Sequence, residues 1–282
     1  MYNKKRKAIF FDIDGTLLIP GEGIHESVRE ALKKVRNHGH QIFIATGRAW
    51  CCLPEELQDV ELDGLIASAG SDIWFHGQNV YRQSLPEKLI RDTCQILKEM
   101  DAVYVLEGFD RIYVSEKAQR ILLGKEVLPD DNPELVRWKK YFRQKTNLYP
   151  IAEWTPEVER VPKITFMLFH EEQVEQVKEI LSGPFHVVFF PAAYSGFWNG
   201  ELISRTADKG TAIQKAAELL HMGIEDTIAF GDSMNDYEMI EQAGCGVVMK
   251  NGDEYLKTIA DRICESVQED GVIRELERMH LI

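Results

Sequence analysis

The sequence predicts an α/β fold, a doubly wound parallel sheet interrupted by an inserted α+β domain. Three observations carry that expectation. Short apolar runs alternate with amphipathic helical periods in the first part of the chain. The alternation lapses near residue 70 and gives way to mixed β and α segments. It resumes after the stretch Tyr194–Ser204. At 282 residues two domains are the default. The core is expected over 1–83 and 196–282, and the insertion over 84–195.

Each element follows from its own pattern. Ala8–Phe11 is short, apolar and aromatic, which suits a buried strand. Val28, Ala31, Leu32 and Val35 recur at helical spacing, and Gly39 ends that helix. Gln41–Ala45 and Leu62–Ala67 are further buried strands, so a βαβαβ order emerges with right-handed crossovers. His76-Gly77 lies between two short β-like runs and predicts a hairpin. Within the insertion, helices are expected from Pro86, over Glu171–Leu181 and over Asn132–Lys145. Strands are expected at Val103–Leu106, Ile112–Val114, Ile164–Phe169 and Val187–Phe190. The core then returns with a helix over Lys209–Leu220, a strand over Thr227–Phe230, a helix over Tyr237–Ala243 and a strand over Cys245–Met249.

Composition narrows the function. A formal net charge of -13 argues against a nucleic-acid partner, which would need clustered Lys and Arg. The basic stretch Lys4–Lys7 reads as a solvated tail. The apolar run behind it ends at Asp12, too short for a signal peptide or a membrane span. Five cysteines without a C-x-x-C pair suggest free thiols in a reducing cytoplasm.

The ends of the predicted core strands hold the chemistry. Asp12 and Asp14 follow the first strand, Thr46 the second, and Asp232 the strand after the insertion. Asn235 and Asp236 lie a turn later, and Lys209 opens the preceding helix. In open α/β sheets ligands bind at this edge. Strand spacing places Asp12 and Asp14 on one side, where like charges repel. Any one of these residues alone is ordinary turn or cap chemistry. Together they gather carboxylates that only a cation makes affordable, and hard oxygen ligands suit Mg²⁺. In that setting an aspartate can attack phosphorus, its neighbour can serve as acid and base, and Thr46 and Lys209 can hold phosphoryl oxygens. Asp236 can anchor Lys209.

The runs DIDGTLL, ATGR, ADKGTA and GDSMNDYEM, in that order, resemble the four motifs of the haloacid dehalogenase superfamily. MIEQAGCGVVMKNG and EDGV resemble its Cof-type phosphatases, and the insertion corresponds in position to a C2-type cap. The resemblance implies a Rossmann-like core, with Asp12 as nucleophile and Asp14 as general acid/base. It implies Mg²⁺ held by Asp12, the Asp14 carbonyl and Asp232. Thr46, Gly47, Lys209 and Asn235 would bind substrate phosphate, with Arg48 and Asp236 in support. Aspartate at position 14 is the residue of the phosphatases and mutases. The expected activity is hydrolysis of small phosphate monoesters, such as sugar phosphates, in the cytoplasm. A phosphomutase is the alternative enzyme, and a non-catalytic phosphometabolite-binding protein the alternative of another class. One departure stands out: Ser68-Ala69-Gly70-Ser71-Asp72 replaces the usual Asn-Gly after the third strand, so substrate preference does not carry over.

Overall fold

The computed structural model describes residues 5–19, 22–54, 57, 60–125, 139, 142, 147–190 and 197–282. The chain divides into two compact units. One comprises Met1–Arg48, Cys52–Arg82 and Thr206–Ile282, the other Gln83–Arg205 with Ala49–Cys51.

The first unit starts with β1 (Ala8–Phe11), α1 (Glu26–Asn37), β2 (Gln41–Ala45), β3 (Gly64–Ala67), β4 (Asp72–Phe75) and β5 (Gln78–Arg82). The second unit supplies α2 (Glu87–Glu99), β6 (Val103–Glu107), β7 (Ile112–Val114), α3 (Glu116–Leu122) and β8 (Leu148–Pro150). It continues through β9 (Lys163–Leu168), α4 (Glu171–Leu181), β10 (Phe185–Phe190) and β11 (Trp198–Ser204). The first unit is completed by α5 (Lys209–Leu219), β12 (Thr227–Gly231), α6 (Tyr237–Gln242), β13 (Gly246–Met249), α7 (Glu254–Ile259), β14 (Arg262–Cys264) and α8 (Gly271–Arg278).

The first sheet has the order β14-β13-β12-β1-β2-β3-β4-β5. Strands β14 to β3 pair in parallel, and β4 and β5 add an antiparallel hairpin at the edge. Side-chain alternation sends Ile9 and Phe11 to one face, against Val28, Leu32 and Val35 of α1 and Leu276 of α8. Ala8 and Phe10 face the other way, among Ile213 and Ala216 of α5, Met239 and Ile240 of α6 and Leu256 of α7. Both faces are therefore buried, which is why these strands read as unbroken apolar runs. β1 sits between β2 and β12, so the winding direction reverses there and leaves a crevice at its carboxyl end.

The second unit is a sheet of order β10-β11-β9-β6-β7-β8, antiparallel except for β7 with β8. Ile90 and Leu97 of α2 and Val174 and Val177 of α4 cover the face that carries Leu106, Ile164, Phe166 and Leu202. β11 lies beyond the expected boundary at 196, yet it pairs with both β9 and β10. Its Leu202 belongs to the second hydrophobic core, so the chain returns to the first unit only at Thr206. Apart from Lys139 and Phe142, the helix expected over Asn132–Lys145 lies outside the described residues.

On the other face of this sheet Lys163 is 2% exposed. Its ammonium donates to Glu201 Oε1 at 2.5 Å and lies 3.3 Å from Glu107 Oε2. Burial works against the ammonium, and the two glutamates outweigh it and raise its pKa. Lys163→Met leaves two buried carboxylates without their shared cation. The expected loss is about 3–5 kcal/mol of unfolding free energy by urea denaturation. Replacing Glu107, Lys163 and Glu201 together by apolar residues is expected to recover most of it.

Candidate active site

The crevice at the end of β1 is built from three loops and one helix start. β1 stops at Phe11, and the Asp12 N–H donates to the Phe230 carbonyl of β12 at 2.9 Å. That bond continues the ladder by one residue and sets Asp12, 4% exposed, at the strand boundary. The chain then turns: the amides of Thr16, Leu17 and Leu18 all donate to the Ile13 carbonyl. Strand alternation therefore does not reach Asp14, and the two aspartates part company. Asp14 Oδ2 and Oδ1 instead accept from Arg48 Nε at 2.8 Å and Nη2 at 2.6 Å.

Lys209 is the first residue of α5 and is fully buried. A cation at a helix N-terminus opposes the helix dipole, so something local must hold it there. Asp208 caps the helix, accepting from the Thr211 N–H at 2.7 Å. Across the crevice Lys209 Nζ donates to Asp12 Oδ1 at 2.6 Å and to Asp236 Oδ1 at 2.5 Å. Asp236 Oδ2 accepts from the backbone N–H groups of Asp232 and Ser233, at 3.0 and 3.1 Å. Asp236 thus ties the lysine to the loop after β12.

Asp232 closes the arrangement. Thr16 Oγ1 lies 3.4 Å from its Oδ1, and its carbonyl accepts from the Asp253 N–H at 2.8 Å. Gly15, with φ +89°, lets this carboxylate approach the backbone; a Cβ there would overlap Asp232 Oδ2. Thr46 Oγ1 accepts from the Arg48 N–H at 3.1 Å, and the Thr46 carbonyl accepts from Ala69 N–H at 2.9 Å. Ser68, Ala69 and Gly70 all have positive φ. Gly70 packs so closely on the Asp208 backbone that a Cβ would overlap its carbonyl. The loop after β3 therefore braces both Thr46 and the start of α5. Gly47 follows Thr46 in this turn, and Asn235 lies on the short turn before α6, its Oδ1 accepting from Ser233 Oγ at 2.8 Å.

Of the expected site residues, Asp12, Lys209, Asp232 and Asp236 converge. The Asp14 side chain and Arg48 form a separate pair beside Thr46. Thr16 is not among the expected site residues, and Ser68–Gly70 stands out in the sequence only as a departure from the family pattern, not as a brace. Thr16 had a signal, a hydroxyl directly after the Asp-Gly turn.

Carboxylate oxygens of Asp12, Asp232 and Asp236 all lie within 4.8 Å of one another. Lys209 supplies one ammonium against three carboxylates, so negative charge is in excess. Burial raises Asp12 to about 7, opposed by Lys209 and assisted by Asp236 and Asp14. Burial, then Asp12 and Asp236, raise Asp232 to about 9. Lys209 is pushed above its ordinary value because the same carboxylates outweigh its burial. Asp12 has that ammonium at 2.6 Å, whereas Asp232 has a hydroxyl at 3.4 Å. Asp232 therefore holds a proton more tightly than Asp12 does. The donor set also fits a hard metal cation, whose charge does the same work. Asp236 already accepts three hydrogen bonds, so Asp12 and Asp232 are the carboxylates with capacity to ligate.

Residues 9–276 match the haloacid dehalogenase-like hydrolases. The chain belongs to that family. It is 30% identical to YkrA of Bacillus subtilis (strain 168) over 283 residues, covering 98% of each chain. It is 28% identical to the 5-amino-6-(5-phospho-D-ribitylamino)uracil phosphatase YitU of the same organism, covering 95% of this chain and 96% of that one. Its fold matches the solved structure of a subclass IIB sugar phosphatase, BT4131, with a TM-score of 0.79 at 24% identity, covering 98% and 100% of the two chains. The protein is a phosphatase of the haloacid dehalogenase-like family.

Two outcomes follow from this geometry. In chelator-treated protein, folded Asp232 holds a proton that the unfolded chain releases near 3.8. Asp12 is raised as well, so stability should fall as pH rises from about 4 toward 9, by up to about 2.7 kcal/mol per pH unit below about 7 and up to about 1.4 above it. Thermal melts across that range should show the slope, and a saturating divalent cation should flatten it. Gly15→Ala forces Asp232 away from the turn, so cation-induced stabilisation should weaken by at least about tenfold in apparent affinity, measured by cation titration of the melting temperature.

Proposed function

We propose that this phosphatase is Mg²⁺-dependent, acts on small phosphate monoesters, and works through an aspartyl-phosphate on Asp12. The observation that carries the reading is the buried Asp12 carboxylate, fixed at the switch point of the sheet by Lys209 with Asp232 beside it. Asp12 and Asp232, with the Asp14 carbonyl, would hold Mg²⁺. When bound, the ion neutralises the carboxylates and the phosphoryl oxygens.

The chain's own residues account for the remaining steps. An Asp12 oxygen attacks phosphorus, the ester P–O bond breaks, and its electron pair leaves on the departing oxygen. Asp14 gives that oxygen a proton, so an alcohol departs. Water then attacks the phosphorus of the aspartyl-phosphate and passes a proton to Asp14. The P–O bond to Asp12 breaks, and inorganic phosphate is released. Lys209 neutralises Asp12 between turnovers and faces the phosphoryl charge, while Thr46, Gly47 and Asn235 hold phosphoryl oxygens. Asp236 keeps Lys209 aimed.

We assign the inserted unit, Gln83–Arg205, the role of a C2-type cap that selects the leaving group. The substrates are small phosphorylated metabolites, in keeping with relatives named for a ribitylamino-uracil phosphate and for sugar phosphates. Cytoplasmic location is part of the proposal, supported by five cysteines that form no disulfide among the described residues. Among the described residues no helix is long and apolar enough to cross a membrane.

Purified protein with Mg²⁺ should hydrolyse p-nitrophenyl phosphate, EDTA should abolish turnover, and Asp12→Asn should reduce kcat by at least about 10³-fold. Incubation with a sugar monophosphate should release phosphate without forming an isomer. Folded, Mg²⁺-loaded protein that is inactive on a broad phosphate-ester panel would refute the reading.

A further inference from the structure

Arg48 follows directly on Thr46 and Gly47, and its guanidinium directs two donors at one carboxylate. Nε reaches Asp14 Oδ2 at 2.8 Å and Nη2 reaches Asp14 Oδ1 at 2.6 Å. This planar fork suits a carboxylate, and it suits a phosphoryl group equally well. The arginine backbone is fixed on both sides. Its N–H donates to Thr46 Oγ1 at 3.1 Å, and its carbonyl accepts from the Ser68 N–H at 2.8 Å. The guanidinium is thus mounted on the loop whose hydroxyl is assigned to the phosphoryl group. Unlike the buried Lys209, the pair is open to solutes, with side-chain exposures of 26% for Arg48 and 41% for Asp14.

This arrangement conflicts with the work assigned to Asp14. Two parallel bonds from one guanidinium fix the plane and the direction of the Asp14 carboxylate. Asp14 can turn toward a departing ester oxygen only by giving up at least one of them. A phosphoryl group arriving beside Thr46 presents oxygens that accept from the same donors.

We propose that Arg48 is an exchangeable clamp on Asp14: the substrate phosphoryl group takes over the guanidinium, and Asp14 is released only once substrate is seated. The inference rests on the reading of Asp14 as acid and base. Only hydrogen-bond partners change, and no covalent bond is made or broken. Arg48 is then a positioning residue for Asp14 as well as a phosphoryl contact. Because the carboxylate and the phosphoryl group compete for one donor set, each weakens the other's hold, and the coupling is reciprocal.

A four-variant cycle tests this by calorimetric binding of inorganic phosphate to the Mg²⁺-loaded protein. The variants are the unaltered chain, Asp14→Asn, Arg48→Ala and the double substitution. Asp14→Asn removes the competitor and should tighten phosphate binding by about fivefold or more. Arg48→Ala should weaken binding, and in its background Asp14→Asn should change affinity by less than about twofold. Equal tightening with and without Arg48 would mean simple removal of a negative charge, and would overturn the clamp. So would the absence of any tightening. If circular dichroism shows that Arg48→Ala does not fold, Arg48→Lys replaces it. That variant keeps the charge and loses the fork, and the coupling should still fall below about twofold. Loss of p-nitrophenyl phosphate turnover in Asp12→Asn stands apart from this cycle. An additive cycle with that turnover intact would reject the clamp alone.

Discussion

Three carboxylates meet one ammonium at the end of the central strand pair, and the rest of the first unit is arranged around that imbalance. Asp12, Asp232 and Asp236 come within 4.8 Å of one another, the first and last of them buried and Asp232 half-buried. Charges so placed are costly unless paired. Lys209 takes up part of the excess, and it does so from a helix start where a cation is disfavoured. The Asp208 cap, the brace from Gly70 and the double grip of Asp236 all hold that lysine against its own preference. What remains uncompensated is the affinity of the site for a cation and a proton.

The supporting framework is mostly backbone. The amides of Asp232 and Ser233 fix Asp236, the amide of Asp253 fixes the Asp232 carbonyl, and the Asn251 side chain donates to the Gly15 carbonyl at 2.9 Å. Each of these ties has a backbone group at one end at least. Charged side chains can then sit close together without the loops spreading apart.

Much of this is legible in the sequence. Buried strands alternating with amphipathic helices imply a parallel sheet, and acids at successive strand ends imply a crevice that collects charge. Lys209 was less legible, because a lone lysine at a helix start usually faces solvent; its complete burial depends on Asp12 and Asp236 arriving from distant parts of the chain. Asp14 was misread locally, since the strand ends before it and alternation no longer governs its direction. The partner of Arg48 is not legible in sequence, where a fork to a carboxylate and one to a phosphate look alike. β11 escaped because Trp198–Ser204, with Asn199, Gly200 and Glu201, lacks a clean alternating pattern. Its strand character comes from neighbours on both sides.

The pairing of β1 with β12 joins the beginning of the chain to a segment that follows the whole inserted unit. As the polypeptide leaves the ribosome, β1, β2 and β3 can associate early, but the second flank of β1 stays vacant until the insertion has been made. Asp12 therefore spends that interval without the lysine that neutralises it. The charged centre assembles only in the last stage of synthesis, and truncated or stalled chains lack it altogether. Such sequence-distant pairing is slow to form, and the pairings of the inserted unit, all of shorter range than that of β1 with β12, can close before it.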